Sequence, residues 1–204
     1  MTAMIDNFHA IRAELQFDSE DDYYFLEILQ RKKDFPEEER DSVRDHRVFA
    51  TYFVNSVEKL DKIEKEVKML CELHNARAYF NPNRKSKKRT TVILMKECLN
   101  MMENDDYSGI ESKIASAAGQ CTGGKGIRKF LIDVDEKDRG LVIEVLELIE
   151  AVNPDTLHYI LPTINGYHLI TSPFDVKKFN DLGGDKLKNV EIKHNAPTIL
   201  YYHG

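Results

Sequence analysis

The sequence lacks the features that mark a secreted, membrane-spanning or zinc-stapled protein. Its three cysteines, Cys71, Cys98 and Cys121, lie far apart, with no Cys-x-x-Cys pair and no histidine at zinc-finger spacing. Isolated cysteines of this kind are expected to be free thiols in a reducing compartment. No stretch approaches the ~18 apolar residues that a transmembrane helix requires. The first residues carry no basic segment leading into an apolar run and a cleavage site. A soluble, cytoplasmic protein with no membrane partner is therefore expected. Positive charge is not in excess either: the formal net charge is -6. A chain that coats nucleic acid non-specifically needs a basic surface to release counterions, so any basic binding face here is expected to be local. No internal repeat or low-complexity tract is present.

What is there fits a globular chain. At 204 residues, with 42% hydrophobic and 31% charged residues, it is long enough to bury a sizeable core. Residues 1–47 read as mixed helix and strand, with acidic clusters at Asp18 to Asp22 and Glu37 to Asp41 around the aromatic run Tyr23-Tyr24-Phe25-Leu26. Val48 to Val54 is β-branched and aromatic and predicts a buried strand, after which Asn55-Ser56 offers cap chemistry for a helix. That helix places Val57, Leu60, Ile63, Val67, Leu70 and Leu73 at intervals of three and four and leaves the other face to Glu and Lys, ending near His74-Asn75. Ala76 to Phe80 predicts a short strand. Asn81-Pro82-Asn83 is turn chemistry, and it leads into a basic run of Arg84, Lys85, Lys87, Lys88 and Arg89. Such a run serves either as a solvated face or as a local binding patch. A helix over Thr90 to Met101 and a further short helix follow, up to Gly119.

The stretch Gly119 to Gly126 contains Gly124-Lys125, yet it is not a phosphate loop of the Walker type. Gly126 stands where Ser or Thr is required, and the stretch precedes a strand instead of joining a strand to a helix. It is read as a loop that delivers Lys125 or Arg128. The C-terminal half then alternates clearly. Phe130 to Asp135 predicts a strand, and Gly140 to Val152 an apolar helix stopped at Asn153-Pro154. His158 to Leu161 and Tyr167 to Thr171 predict a hairpin around Asn165-Gly166. Asp175 caps a helix to Leu182, and Val190 to Lys193 and Thr198 to Tyr202 form a final strand pair. The succession β-α-β-β-α-β is the split βαβ of ferredoxin-like folds. The fold class is thus α+β, a single domain over 1–204 in two lobes: an N-terminal αβ lobe over 1–120 and an RRM-like half over 121–204.

Asp133 and Asp135 are one residue apart, and the period of two along a strand sends both side chains to one face. Two neighbouring carboxylates repel and are best accommodated by a hard cation, Mg²⁺ or Mn²⁺; the plainer alternative is that both cap the following loop. His168, on the second hairpin strand, is expected beside the aspartate strand. Glu191, on the penultimate strand, is either a third carboxylate or an exposed edge residue.

Ile132-Asp133-Val134-Asp135, Gly166-Tyr167-His168 and Val190-Glu191, in that order, resemble the three motifs of the archaeo-eukaryotic primase superfamily: a strand ending in Asp-x-Asp, a small-x-His, and a hydrophobic residue followed by an acid. The resemblance covers mainly residues 130–202. It implies a metal-dependent nucleotidyltransferase of the primase-polymerase kind. Asp133, Asp135 and Glu191 would be the catalytic metal ligands, and His168, with Asn165 and Lys125, would bind the nucleoside triphosphate. Arg77, Arg84 and Lys85 would bind a DNA or RNA template, and any helicase or replication protein would be a separate partner.

Other readings stay open beside it. A palm-type cyclase would carry Gly-Gly-(Asp/Glu)-Glu-Phe on the hairpin, and this one carries Asn165-Gly166-Tyr167-His168. Glu191-Ile192-Lys193 has the Glu-x-Lys form of metal-dependent nucleases, although far in sequence from Asp135. An RRM-like nucleic-acid-binding module without catalysis would stack bases on Tyr79, Phe80, Tyr167, Tyr201 and Tyr202.

Overall fold

The computed structural model describes residues 4–42, 45–121 and 128–204. Lys125 and the glycines around it lie outside them. The fold is α+β, built on two sheets. Chain order begins with β1 (Ile5–Asp6), α1 (Phe8–Ala13) and β2 (Asp22–Arg31). Two short 3₁₀ turns, Lys32–Asp34 and Glu37–Ser42, then lead to β3 (His46–Val54) and α2 (Val57–His74). Next come β4 (Arg77–Phe80), β5 (Lys85–Ser86), α3 (Lys87–Glu103) and α4 (Lys113–Gln120). The remainder is β6 (Phe130–Val134), α5 (Arg139–Val152), β7 (Leu157–Pro162), β8 (Tyr167–Thr171), α6 (Val176–Gly183), β9 (Val190–His194) and β10 (Thr198–Tyr202).

The first sheet has the order β1-β10-β4-β2-β3, with β5 also paired to β2. Its centre is β2, and the run Tyr23-Tyr24-Phe25-Leu26 is buried there because α2 covers one face and α4 the other. Alternation sorts its side chains. Tyr24, Leu26 and Ile28 join Leu60, Ile63, Val67 and Cys71 of α2 in one core, and Tyr23 and Phe25 meet Ala118 of α4 in another. Helix α2 starts where Ser56 accepts a hydrogen bond from the Lys59 amide at 3.1 Å, and stops where Asn75 turns left-handed at φ 46°. Two expectations change here. Residues Val48 to Val54 do form a strand, but β3 is an edge strand paired only to β2, so of these only Val54 is buried. Leu73, at 71% exposure, has turned away from the core, and Cys71 takes the inward place in that turn.

The second sheet has the order β7-β8-β6-β9, all antiparallel. With α5 and α6 this is the β-α-β-β-α-β succession read from the sequence. Ile132 and Val134 point to the helices and pack with Val142, Val145, Ile149 and Phe179. The side chains between them, Leu131 and Asp133, take the opposite face. The expected final strand pair does not exist: β9 pairs with β6, and β10 crosses into the first sheet between β1 and β4. Asn195, left-handed at φ 54°, turns the corner, and Pro197 beside β10 has no amide to offer a ladder. The two sheets are therefore not two separate stretches of chain. Among the described residues no helix is long and apolar enough to cross a membrane.

Candidate functional site

The face of the second sheet not covered by helices closes over the first sheet to leave a cavity of about 150 Å³. One wall is Asp133, Asp135 and His168 with Asn165 of the β7–β8 turn. The facing wall is Arg31, Lys33, Arg77 and Tyr79, and Lys193 completes the rim. Arg31, Lys33, Arg77 and Lys193 thus line the cavity together with two aspartates, Arg77 being already paired with Asp34.

Antiparallel pairing sets the geometry on the acidic wall. In register, Asp133 lies between His168 on β8 and Glu191 on β9. Residues far apart in sequence thus become direct cross-strand neighbours. His168 Nε2 is 3.3 Å from Asp133 Oδ1, and Lys193 Nζ is 2.6 Å from Asp133 Oδ2 and 3.1 Å from Glu191 Oε2. Burial alone would raise the Asp133 pKa, but the hydrogen bonds and charges of His168 and Lys193 outweigh it and bring it down to about 2. Asp133 is accordingly an anion throughout the physiological range. Burial works against the Lys193 charge as well, and the same carboxylates more than compensate, so its pKa is raised.

His168 is held from behind. Its Nδ1 is 2.8 Å from Oγ1 of Thr198, a fully buried residue of β10. A carboxylate can only accept, so in the neutral ring Nε2 carries the proton toward Asp133 and the Thr198 hydroxyl donates to Nδ1. The bond also ties the second sheet to the first at the cavity.

Oxygen donors suit a hard cation, and Asp133, Asp135 and Glu191 supply them at one end of the second sheet. Among the described residues, however, no three His, Cys, Asp or Glu side chains already converge as a metal cluster. Glu191 is 70% exposed at its side chain and turns to Lys193. The Lys193 ammonium provides the positive charge that the carboxylates demand. Carboxylate oxygens are the donors a hard cation takes, and in this structure Lys193 is paired with two of the three groups.

The remaining sequence candidates separate. Arg77 lines the cavity but is largely buried and bonded to Asp34 at 2.5 Å, with its guanidinium over the Tyr202 ring. Arg84 lies elsewhere, held by Asp18 at 2.6 Å and Asp22 at 3.5 Å, and lines a different cavity with Lys129 and His158. Lys85 is fully buried, its Nζ donating to the Cys121 carbonyl at 3.1 Å, and burial lowers its pKa to about 8. As placed, Lys85 cannot touch a nucleic acid. The expected basic run is split, because Lys87, Lys88 and Arg89 form the first turn of α3. Phe80, Tyr201 and Tyr202 are buried, and the two tyrosines belong to the first sheet, so they offer no stacking platform. Sequence reasoning did not place Arg31, Lys33 or Thr198 at the site. The triplet Arg31-Lys32-Lys33 after an apolar strand was the only available signal for the first two. Compared with protein-family models, with curated proteins and with solved structures, the chain finds no match.

Proposed function

We propose that the protein is a divalent-metal-dependent nucleotidyltransferase that uses nucleoside triphosphates on a nucleic-acid template, in keeping with its resemblance to the primase-polymerase superfamily. The observation that carries this reading is the cavity in which Asp133, Asp135 and His168 face Arg31, Lys33 and Arg77. Carboxylates on one wall and a cationic surface opposite match a triphosphate carrying its metal. The volume of about 150 Å³ is below that of an ordinary ligand pocket, so the phosphates would enter and the sugar and base would remain at the mouth.

The chain's own residues then take distinct parts. Arg31 and Lys33, both exposed, and the pre-oriented Arg77 bind the phosphate chain. The single Nε2 proton of His168, directed at Asp133 in the free protein, would pass its hydrogen bond to a phosphate oxygen once Asp133 takes the metal, with Thr198 still holding Nδ1. Lys193 leaves the carboxylates and turns its ammonium to the same charge. Mg²⁺ or Mn²⁺ held by Asp133, Asp135 and Glu191 would neutralise the attacking and leaving oxygens of an in-line displacement at phosphorus. Catalysis of this kind rests on placement and charge rather than on a covalent intermediate.

Calorimetric titration of a nucleoside triphosphate with Mn²⁺ tests the reading. Wild type is expected to bind, Asp133→Asn/Asp135→Asn to lose binding, and His168→Ala to weaken it by about tenfold to a hundredfold, as for one hydrogen bond to a charged group. Equal binding by wild type and the double variant sinks the proposal. One observation favours a second reading: β-pairing closes the sequence gap, so that Lys193 touches both Asp133 and Glu191, the grouping of a metal-dependent nuclease. Cleavage of a nucleic acid with Mg²⁺, abolished by Lys193→Ala and indifferent to nucleoside triphosphate, would select it.

A further inference from the structure

Helix α3 is packed on one side only. Thr90 and Met101 are buried and Ile93, Leu94 and Cys98 are half-buried. On the other side Val92, Met95, Leu99 and Met102 are 52%, 60%, 56% and 63% exposed. Their intervals of three, four and three are those of the a and d positions in a coiled-coil seam. Exposed apolar residues scattered singly need no explanation, but four large ones in a single stripe mark a contact surface.

The charges on the helix suggest what covers the stripe. Lys87, Lys88 and Arg89 occupy the first turn, whereas Glu103 closes the helix and Asp105 and Asp106 follow it. The helix itself has no acid in its first turn and no base in its last, the reverse of what the helix dipole favours, and Asp21, accepting from the Lys88 amide at 2.8 Å, offsets the basic end from outside the helix. The arrangement becomes favourable when a second α3 lies antiparallel, because the basic end of each helix then meets the acidic end of the other. A parallel pair would set like charges together.

We propose that α3 is a homodimer interface in which two copies of the chain pack this stripe antiparallel about a two-fold axis. Such an interface is self-complementary, as an isologous contact must be. With the axis near Glu97, Val92 lies over Met102 and Met95 over Leu99 of the second copy, with Lys88 beside the second copy's Asp106. No stripe residue lines the cavity of the candidate site, so the proposal stands or falls independently of the nucleotidyltransferase reading.

Sedimentation velocity over a range of concentrations tests it on the full chain. Wild type is expected to pass from monomer to dimer as concentration rises. Met95→Glu/Leu99→Glu should raise the dissociation constant at least about a hundredfold with an unchanged far-UV circular dichroism spectrum. Lys88→Glu and Asp106→Lys should each weaken association several-fold, and an equimolar mixture of the two should restore it, since opposite charges then meet at both ends. A wild type that is monomeric at every concentration it can reach, or a dimer that survives Met95→Glu/Leu99→Glu, overturns the proposal. So does a single charge reversal that leaves association unchanged, which would remove the antiparallel arrangement.

Discussion

Asp133 and Lys85 show two opposite ways in which this protein houses a charge. The Asp133 carboxyl falls from an ordinary 3.8 to about 2 because His168 and Lys193 stabilise its anion. A folded-state pKa below the unfolded one adds stability that is complete above pH 3.8 and disappears as pH falls toward 2. The contribution is about 2 kcal/mol. Urea unfolding of wild type and Asp133→Asn should therefore differ by that amount near neutrality and converge toward pH 2; a constant difference would refute it. Lys85 is the reverse case, lowered from 10.5 to about 8 by burial without a carboxylate partner in hydrogen-bond reach. Below pH 8 the fold carries the full penalty of that buried ammonium, and the penalty lifts as pH rises to 10.5. Relative to Lys85→Met, wild type should gain about 3 kcal/mol across that interval. That Asp133 and His168 would be cross-strand neighbours was legible from strand order, and the structure brings both, with Asp135, to one cavity. The burial of Lys85 was not legible, since a lysine within a basic run gives no local sign that β5 will pair with β2 and carry it inward to the Cys121 carbonyl.

At the scale of elements, the hairpin of β7 and β8 is what brings His168 to Asp133. Its turn is closed by the Thr163 amide donating to the Gly166 carbonyl at 2.8 Å and by the Gly166 amide donating to Thr163 Oγ1 at 3.0 Å. Gly166 also lies against the end of β6. A Cβ placed there would meet the Val134 carbonyl oxygen at 2.0 Å and the Glu136 amide at 2.7 Å, both backbone atoms that cannot step aside. Gly166→Ala must therefore lift the turn from β6 and pull His168 from Asp133. The expected loss is at least about 2 kcal/mol, together with loss of the triphosphate binding proposed for the cavity. Unchanged stability and binding would show that the turn does not set the site. Asn-Gly announced this hairpin in the sequence. The same sequence suggested that β9 and β10 pair with each other, because two strands across Asn195-Ala196-Pro197 look like any other hairpin. They instead part to two sheets, and only the long-range partners β6 and β4 decide that.

Across the whole molecule the two sheets share atoms as well as chain. Leu161 and Tyr159 of β7 pack into the core of the first sheet, and Asn7 Nδ2 donates to the Pro162 carbonyl at 3.1 Å. Asn83 and Lys129 exchange hydrogen bonds of 3.0 and 2.7 Å, while Asn81 Nδ2 donates to the Asn195 carbonyl at 3.1 Å. These links, with β10 threaded between β1 and β4, predict one cooperative thermal transition, with calorimetric and van't Hoff enthalpies equal. Leu161→Ala should lower the stability of both sheets together by about 2 to 5 kcal/mol. Two resolved transitions would show that the sheets melt independently. By itself the sequence determined the periodicities: the amphipathic α2, the alternation that sends Ile132 and Val134 inward and Asp133 outward, the caps at Ser56 and Asp175, and the α+β succession. These depend on neighbours within a few residues, which a linear string records. The tertiary structure alone decided that β10 leaves the second sheet, that Arg31 and Lys33 come to face Asp133, that Thr198 holds His168, and that Lys193 bridges two acids. Each of these joins residues tens of positions apart, where burial and strand pairing, rather than local propensity, select the partner.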